Sequence, residues 1–329
     1  MKFDLKSLLT GGLKPIWIRY MLILGVVTMI SRLALDSRFA TTSFFYCLVP
    51  YIIGVILYIF VPQPKGWSRT KRIGRHLLAT LIVMLASSAI LFEGFICVII
   101  AAPIYILFAL LAISISPHKA DPDRFKKSDV FRASFVPLAV IIVSVEGLTE
   151  TTSFPREEAI TRTQILNLTP EEVHANLAQP VHLDAKRSAF LSIFPLPDRV
   201  DAPNFQQGAV HTAFFTYRRW GFTNVHRGET QIRMKEVSPL FIETEVTEDT
   251  SYFSHYLKVH GTQIKMVPLA DGTTQVSLTI RYRRTLDPAW YFGPMQRRAI
   301  GESADYLLTH IIGKRPRNAR NIRPHTLGG

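Results

Sequence analysis

Cysteine is almost absent from this chain, which has only Cys47 and Cys97. Both lie inside apolar runs, where cysteine packs as a small hydrophobe, so no disulfide framework or metal site is read from them. Zinc-ligand spacing, a P-loop and a glycine-rich dinucleotide fingerprint are also missing, which removes the functions those motifs mark. Acidic residues are the minority: 25 Asp and Glu against 38 Lys and Arg, a net charge of +13. Such an excess suits nucleic acid in principle. Here many of the N-terminal basic residues sit in short loops between apolar runs, where they orient a membrane chain instead. Within the first 147 residues charge is grouped between long apolar runs. At 329 residues the chain has room for about two domains, and it divides into an apolar half and a half that reads as soluble.

The run from Ser43 to Val61, SFFYCLVPYIIGVILYIFV, carries no charge and is long enough to cross a hydrocarbon core of ~30 Å as a helix. The stretch from Leu77 to Ile115 is about twice that length. Its only charge is Glu93, beside Gly94, so two helices joined by a tight turn are expected. Ala133 to Val145 is short, and spans if its flanks contribute and Arg132 snorkels. Ile16 to Leu35 is bracketed by Arg19 and Arg32. A central arginine costs ~2.5–3.5 kcal/mol on insertion scales, less near a helix end. This segment is read as a span, with an interfacial helix as the alternative. A cleaved signal peptide fits poorly, because no small-residue cleavage site follows and further apolar runs do. The expectation for residues 1–147 is an α-helical membrane anchor of about five spans.

Two basic loops, Lys65 to Arg75 and Lys119 to Arg132, orient this anchor. The opposite connections carry only Arg38 or no Lys or Arg. Positive-inside logic places both basic loops in the cytoplasm, with Lys2, Lys6 and Lys14 in agreement. Residue 148 onward then emerges on the outside. Glu93 reads as a hairpin-turn residue and Glu146 as a residue of the outer interface. A proton or ion path would need partnered ionisable groups at mid-membrane depth, and no such set is visible.

Residues 148–157 form a polar linker. Ile160 to Leu168 reads as a strand. Thr169-Pro170-Glu171-Glu172 then opens a short helix, with Thr169 as N-cap, Pro170 at N1 and Glu172 completing a capping box. Residues 190–205 look irregular. Strands follow at Gly208–Tyr217, Gly221–Arg227, Glu229–Val237, Phe241–Val246, His260–Val267 and Thr274–Arg283, the last two joined by an Asp271-Gly272 hairpin signal. In the final strand Val276, Leu278, Ile280 and Tyr282 share one face, and Gln275, Ser277, Thr279, Arg281 and Arg283 the other. Asp287 and Pro288 suit the N-cap and N1 of a long helix to about Ile312. Its apolar stripe is read as Met295, Ala299, Ile300, Ala304, Leu307, Leu308 and Ile311. Gly313 ends it, and residues 313–329 form a basic tail of disordered composition.

This order, a curved antiparallel sheet around a long C-terminal helix, is an α+β arrangement that buries both apolar faces. Four stretches carry a resemblance: ITRTQILNLTPEEVHANL, ETQIRMKEVSPLFIETEV, GTQIKMVPLADGTTQVSLTIRY and RRTLDPAWYFGPMQRRAI. Together they make residues 158–312 resemble the SRPBCC superfamily, the helix-grip fold of START-like and polyketide cyclase/dehydrase-like proteins. The last stretch is similar to a bacterial group that also carries N-terminal membrane helices. The resemblance implies a hydrophobic cavity between sheet and helix. Together with the loop charges, it gives the expectation of a protein of the bacterial inner (cytoplasmic) membrane, multi-pass, with its C-terminal domain extracytoplasmic.

On that basis Met234, Met266, Leu278, Ile280, Met295, Ala299, Ala304 and Leu307 are candidate cavity residues, with ordinary core packing as the alternative. Trp290, Tyr291 and Phe292 either pack the end of the sheet or dip into the membrane interface. The basic tail either attracts anionic headgroups or stays solvated. His211, His226, His255 and His260 are scattered and suggest no metal site. Ser251 to Tyr256 reads as a loop or strand edge near the cavity mouth, without a catalytic triad.

No cofactor, metal or nucleic-acid partner is expected. The partners expected are the bilayer, an unidentified hydrophobic small molecule or lipid, and in one reading another membrane protein. Three functions compete. The first is a membrane-tethered binding module for an apolar ligand. The second is a cyclase- or dehydratase-like enzyme in the same cavity, which needs an inward acid and base such as a Glu and a His. The third is a structural partner of another membrane protein, with a filled core.

Overall fold

A computed structural model of the chain describes residues 40–60, 66–90, 95–115, 127–181, 183, 185–220 and 223–314. Two compact units emerge. The first comprises Met1–Phe154, Arg218–Asn224 and Leu286–Gly293, and the second Pro155–Tyr217, Val225–Thr285 and Pro294–Gly329.

The first unit is helical. A π-helical turn, Phe44–Leu48, leads into α1 (Val49–Phe60). The helices α2 (Arg69–Ile90), α3 (Phe95–Ile115) and α4 (Lys127–Ser144) follow. Ile53 and Leu57 of α1 pack with Val83 of α2 in an apolar cluster. The first basic loop is shorter than the sequence suggests, because α2 already begins at Arg69 and takes in Lys71, Arg72 and Arg75. Lys127 and Arg132 likewise belong to α4. Among the described residues no helix is long and apolar enough to cross a membrane. The five-span anchor is therefore not shown. Ile16–Leu35, Glu93, Lys119 and the tail beyond residue 314 lie outside the described residues.

Glu146 lies just beyond α4. It is 8% exposed, its carbonyl accepts from the Ser43 amide at 3.1 Å, and its Oε1 accepts from the Ala289 amide at 2.7 Å. Ala289 opens the C-terminal helix, so Glu146 places an anionic acceptor on its first amide. The Asp287 side chain is fully buried, and its backbone amide donates to the Thr41 carbonyl at 2.8 Å.

The second unit holds a seven-stranded sheet in the order β1-β7-β6-β5-β4-β3-β2. Its strands are β1 (Glu157–Leu166), β2 (Arg199–Asp201), β3 (Val210–Trp220), β4 (Thr223–Ser238), β5 (Phe241–Asp249), β6 (Leu257–Pro268) and β7 (Thr274–Arg284). The strand pairs β1–β7, β2–β3, β4–β5, β5–β6 and β6–β7 run antiparallel. The short helix α5 (Pro170–Leu177) starts as expected: the Glu172 amide donates to Thr169 Oγ1, and the Thr169 amide to Glu172 Oε2 at 2.9 Å. The long helix α6 (Ala289–Leu307) ends in a π-helical turn, Leu308–Ile312, that Gly313 closes. Sheet and C-terminal helix together have the helix-grip arrangement.

Two strand expectations change. The two strands expected between Gly221 and Val237 are one, β4, which absorbs irregularities as register shifts at Gln231/Ile232 and Met234/Glu236. Gly228 lies within it, not in a turn. A Cβ there would stand 2.2 Å from the Thr250 carbonyl oxygen, so glycine serves a close backbone approach. The stretch read as irregular also contains β2, which pairs with β3.

Candidate ligand-binding core

The inner face of β7 is a strict alternation: Thr274, Val276, Leu278, Ile280, Tyr282 and Arg284 are all buried. Against it, the C-terminal helix and its last turn set Ile300, Ala304, Leu308 and Ile312, four apart and each at most 6% exposed. The same row holds Gln296 one turn earlier, 7% exposed. A second row of the helix meets β1: Arg297 reaches Glu158, Asp305 pairs with Arg162 at 3.3 Å, and Thr309 faces Gln164 at 3.4 Å. Gly301 completes this row because Arg162 crosses the helix there; a Cβ would lie 2.5 Å from its guanidinium. A third row faces the segment before β2, with Arg298 over the Phe190 ring and Glu302 accepting from Ser188.

Met234, Met266, Leu278, Ile280 and Ala304 join one core cluster, with Leu307 packed against it. Met295 and Ala299 are half-buried on α6 and are not part of that cluster. Ile242, Ile264, Val276, Tyr282 and Leu308 complete much of what the candidate set omitted.

The core is apolar along most of its length and polar at one end. Tyr282 lies directly opposite Glu158 in the β1–β7 register, and its phenol donates to Glu158 Oε2 at 2.6 Å. Glu158 Oε1 meets Arg284 Nε at 3.2 Å and Arg297 at 3.0 Å. Burial, then the hydrogen bond to Glu158, holds the Tyr282 phenol well above its usual range. Both oxygens of Glu158 are thus engaged by Tyr282 and two arginines. The polar end holds a Glu–Tyr–Arg network where an enzyme reading expected a Glu and a His.

The register places Leu257 opposite Arg284, so the preceding helical turn Tyr252–His255 and Tyr256 lie at this same end. Aromatic rings gather there. Tyr217 stacks on Tyr252 at 4.4 Å, Phe253 packs edge-on to both, and Phe194 packs on Phe253. The Tyr252 and Tyr256 hydroxyls lie 3.2 Å apart. The segment Ser251–Tyr256 therefore forms a short helical turn with its aromatics packed inward.

Trp290, Tyr291 and Phe292 belong to the first unit. Phe292 is 1% exposed and packs edge-on against Tyr46 at 4.7 Å; the Tyr291 hydroxyl donates to the Ile100 carbonyl at 2.7 Å. Trp290 is 50% exposed. The histidines are dispersed: His211 contacts the Asn204 carbonyl, His226 the Thr250 carbonyl, His255 the Tyr252 carbonyl and His260 the Glu157 carboxylate. A cavity of about 250 Å³ lies on the outer side of α6, lined by Ser188, Leu191, Glu302, Tyr306 and His310 among others. None of the expected cavity residues lines it.

No protein-family model matches the chain, and no curated protein matches it. Among solved structures, a START superfamily protein from Mycobacterium smegmatis is 14% identical, with 47% of this chain and 94% of that one covered at a TM-score of 0.33. An aromatase/cyclase from a Streptomyces species is 14% identical, covering 46% and 92% at a TM-score of 0.29. Norcoclaurine synthase from Thalictrum flavum is 10% identical, covering 48% and 88% at a TM-score of 0.31. The fold described above rests on strand register and helix packing, not on these scores.

Proposed function

We propose that the chain is a membrane-tethered module that binds an apolar ligand, such as a lipid, between the sheet and α6. The supporting observation is the graded inner surface. Flexible Met234 and Met266, with the small Ala304, make its apolar part adaptable, and Tyr282, Arg284 and Glu158 close one end with polar groups. A binding site of this kind is mostly apolar with a few placed polar groups.

The tether is supported by apolar side chains left uncovered on the helices. On α4, Phe135, Leu138, Ile141 and Ile142 are 54%, 55%, 51% and 64% exposed. They follow helical spacing and form a stripe that water disfavours. Ile99 and Leu107 of α3 add to the exposed apolar surface. The basic residues around α2 and before α4 support a bacterial inner-membrane, multi-pass location with the second unit extracytoplasmic.

Mass spectrometry of the purified full-length protein tests the binding reading. A co-purifying lipid or other apolar molecule is expected. No such molecule, together with no uptake of an apolar fluorophore, would sink it. A reporter fused after Gly329 tests the location and should be active only outside the cytoplasm. Close mutual packing of the same residues favours one alternative, a filled core serving a partner membrane protein. The uptake assay separates the two.

A further inference from the structure

The buried row of α6 contains one polar member. Phe292, Ile300, Ala304, Leu308 and Ile312 are apolar; Gln296 is not, and it is 7% exposed. Its Nε2 donates to the Tyr256 carbonyl at 2.9 Å. That bond orients the amide, because a carbonyl accepts only from the NH2 end. The other end, Oε1, is buried and meets no donor among the described residues. Buried side-chain acceptors are in the large majority hydrogen-bonded, so an unmet one calls for a physical reason. A leucine at this position would continue the row without that cost. Gln296 also lies at the polar end of the core. Tyr256, whose carbonyl it grips, has its hydroxyl beside that of Tyr252, and the adjacent Leu257 pairs with Arg284.

We propose that Gln296 Oε1 is the acceptor for a neutral hydrogen-bond donor on the ligand, so that the ligand is an apolar molecule bearing a hydroxyl. This deepens, and rests on, the apolar-ligand reading. A hydrocarbon or an ether leaves the acceptor unmet. A carboxylate sets its own acceptor oxygens against it. Only a donor completes the amide.

Competition against an anilinonaphthalene fluorophore on the full-length protein tests this, with 1-dodecanol, its methyl ether and dodecanoate as competitors, each corrected for partitioning. The alcohol is expected to displace the fluorophore at about tenfold lower concentration than the ether, the ordinary worth of one hydrogen bond. Q296L should erase that ratio. Equal displacement by alcohol and ether on the unaltered chain overturns the proposal and leaves the apolar-ligand reading in place. A ratio that persists in Q296L overturns it too, since the hydroxyl is then read elsewhere. If the fluorophore does not bind at all, both ideas fall together.

Discussion

Replacing Glu158 with leucine should destabilise the second unit more than a surface substitution does. The Arg284 side chain is 1% exposed and that of Glu158 is 18% exposed. Arg284 also donates to the Pro155 carbonyl at 3.1 Å. Removing one member of a buried pair costs about 3–5 kcal/mol. Tyr282, fully buried, loses the acceptor of its phenol in the same step, a bond worth about 1 kcal/mol. Glu158 retains some solvent contact, so the lower end of the range applies, about 3 kcal/mol. For a unit of this size that lowers the midpoint by roughly 6–12 °C. Thermal unfolding of the full-length protein, followed by near-UV circular dichroism, measures the shift. A double-mutant cycle adds the decisive arm. E158L and R284M together should cost less than their sum by about 1 kcal/mol or more, because both changes act on the same ion pair. A loss below 1 kcal/mol in E158L, with strictly additive effects, would refute the argument.

Ala304→Trp inserts a large ring into a fully buried position of the α6 row. If the core has room for a ligand, uptake of an apolar fluorophore falls while stability changes by less than the ~1–3 kcal/mol typical of overpacking; a full loss of stability with no uptake by the unaltered chain supports a filled core. Acid should weaken the sheet through Glu243. Burial alone pushes this carboxyl up, but Lys235, Gln263 and Arg281 outweigh burial and hold it below the usual range. A depressed folded-state value means stability that is complete above the unfolded value of about 4.3 and lost as pH falls below it toward the folded value. The stability curve of E243Q should be flatter across that acid limb, and a curve parallel to the parent's would count against the assignment. Thr169→Ala removes the α5 cap and should cost about 1 kcal/mol in denaturant unfolding, with an unchanged midpoint as the contrary result.

What was legible in the sequence followed local rules. The alternation along β7 appears in the fold residue by residue, because a strand with one buried face must alternate. The Thr169–Glu172 capping box forms as spelled, since both partners lie within one turn. The losses came where a distant partner decides. β2 has only three residues and is a strand because β3 lies beside it. Gly228 looked like a break until the approach of Thr250 showed what the missing side chain makes room for. The acceptor of the Ala289 amide is Glu146, distant in sequence, which no local rule selects.

The α6 row carries the same lesson into the site. A hydrophobic wheel selects Met295 and Ala299 because they are apolar, and it passes over Gln296 because it is not. The helix, however, meets the sheet along residues four apart, and that row is set by packing, not by the helix's own composition. Thr274 and Arg284 were missed on β7 for the same reason: their faces follow from the alternation, but their polarity argues against burial. Polar residues inside an apolar surface are what a pattern of hydrophobicity cannot register. They are also the residues with which an apolar site distinguishes one ligand from another, because each needs a partner once water is gone. In the proposed site those residues are Gln296, Tyr282, Arg284 and Glu158, at one end of the core.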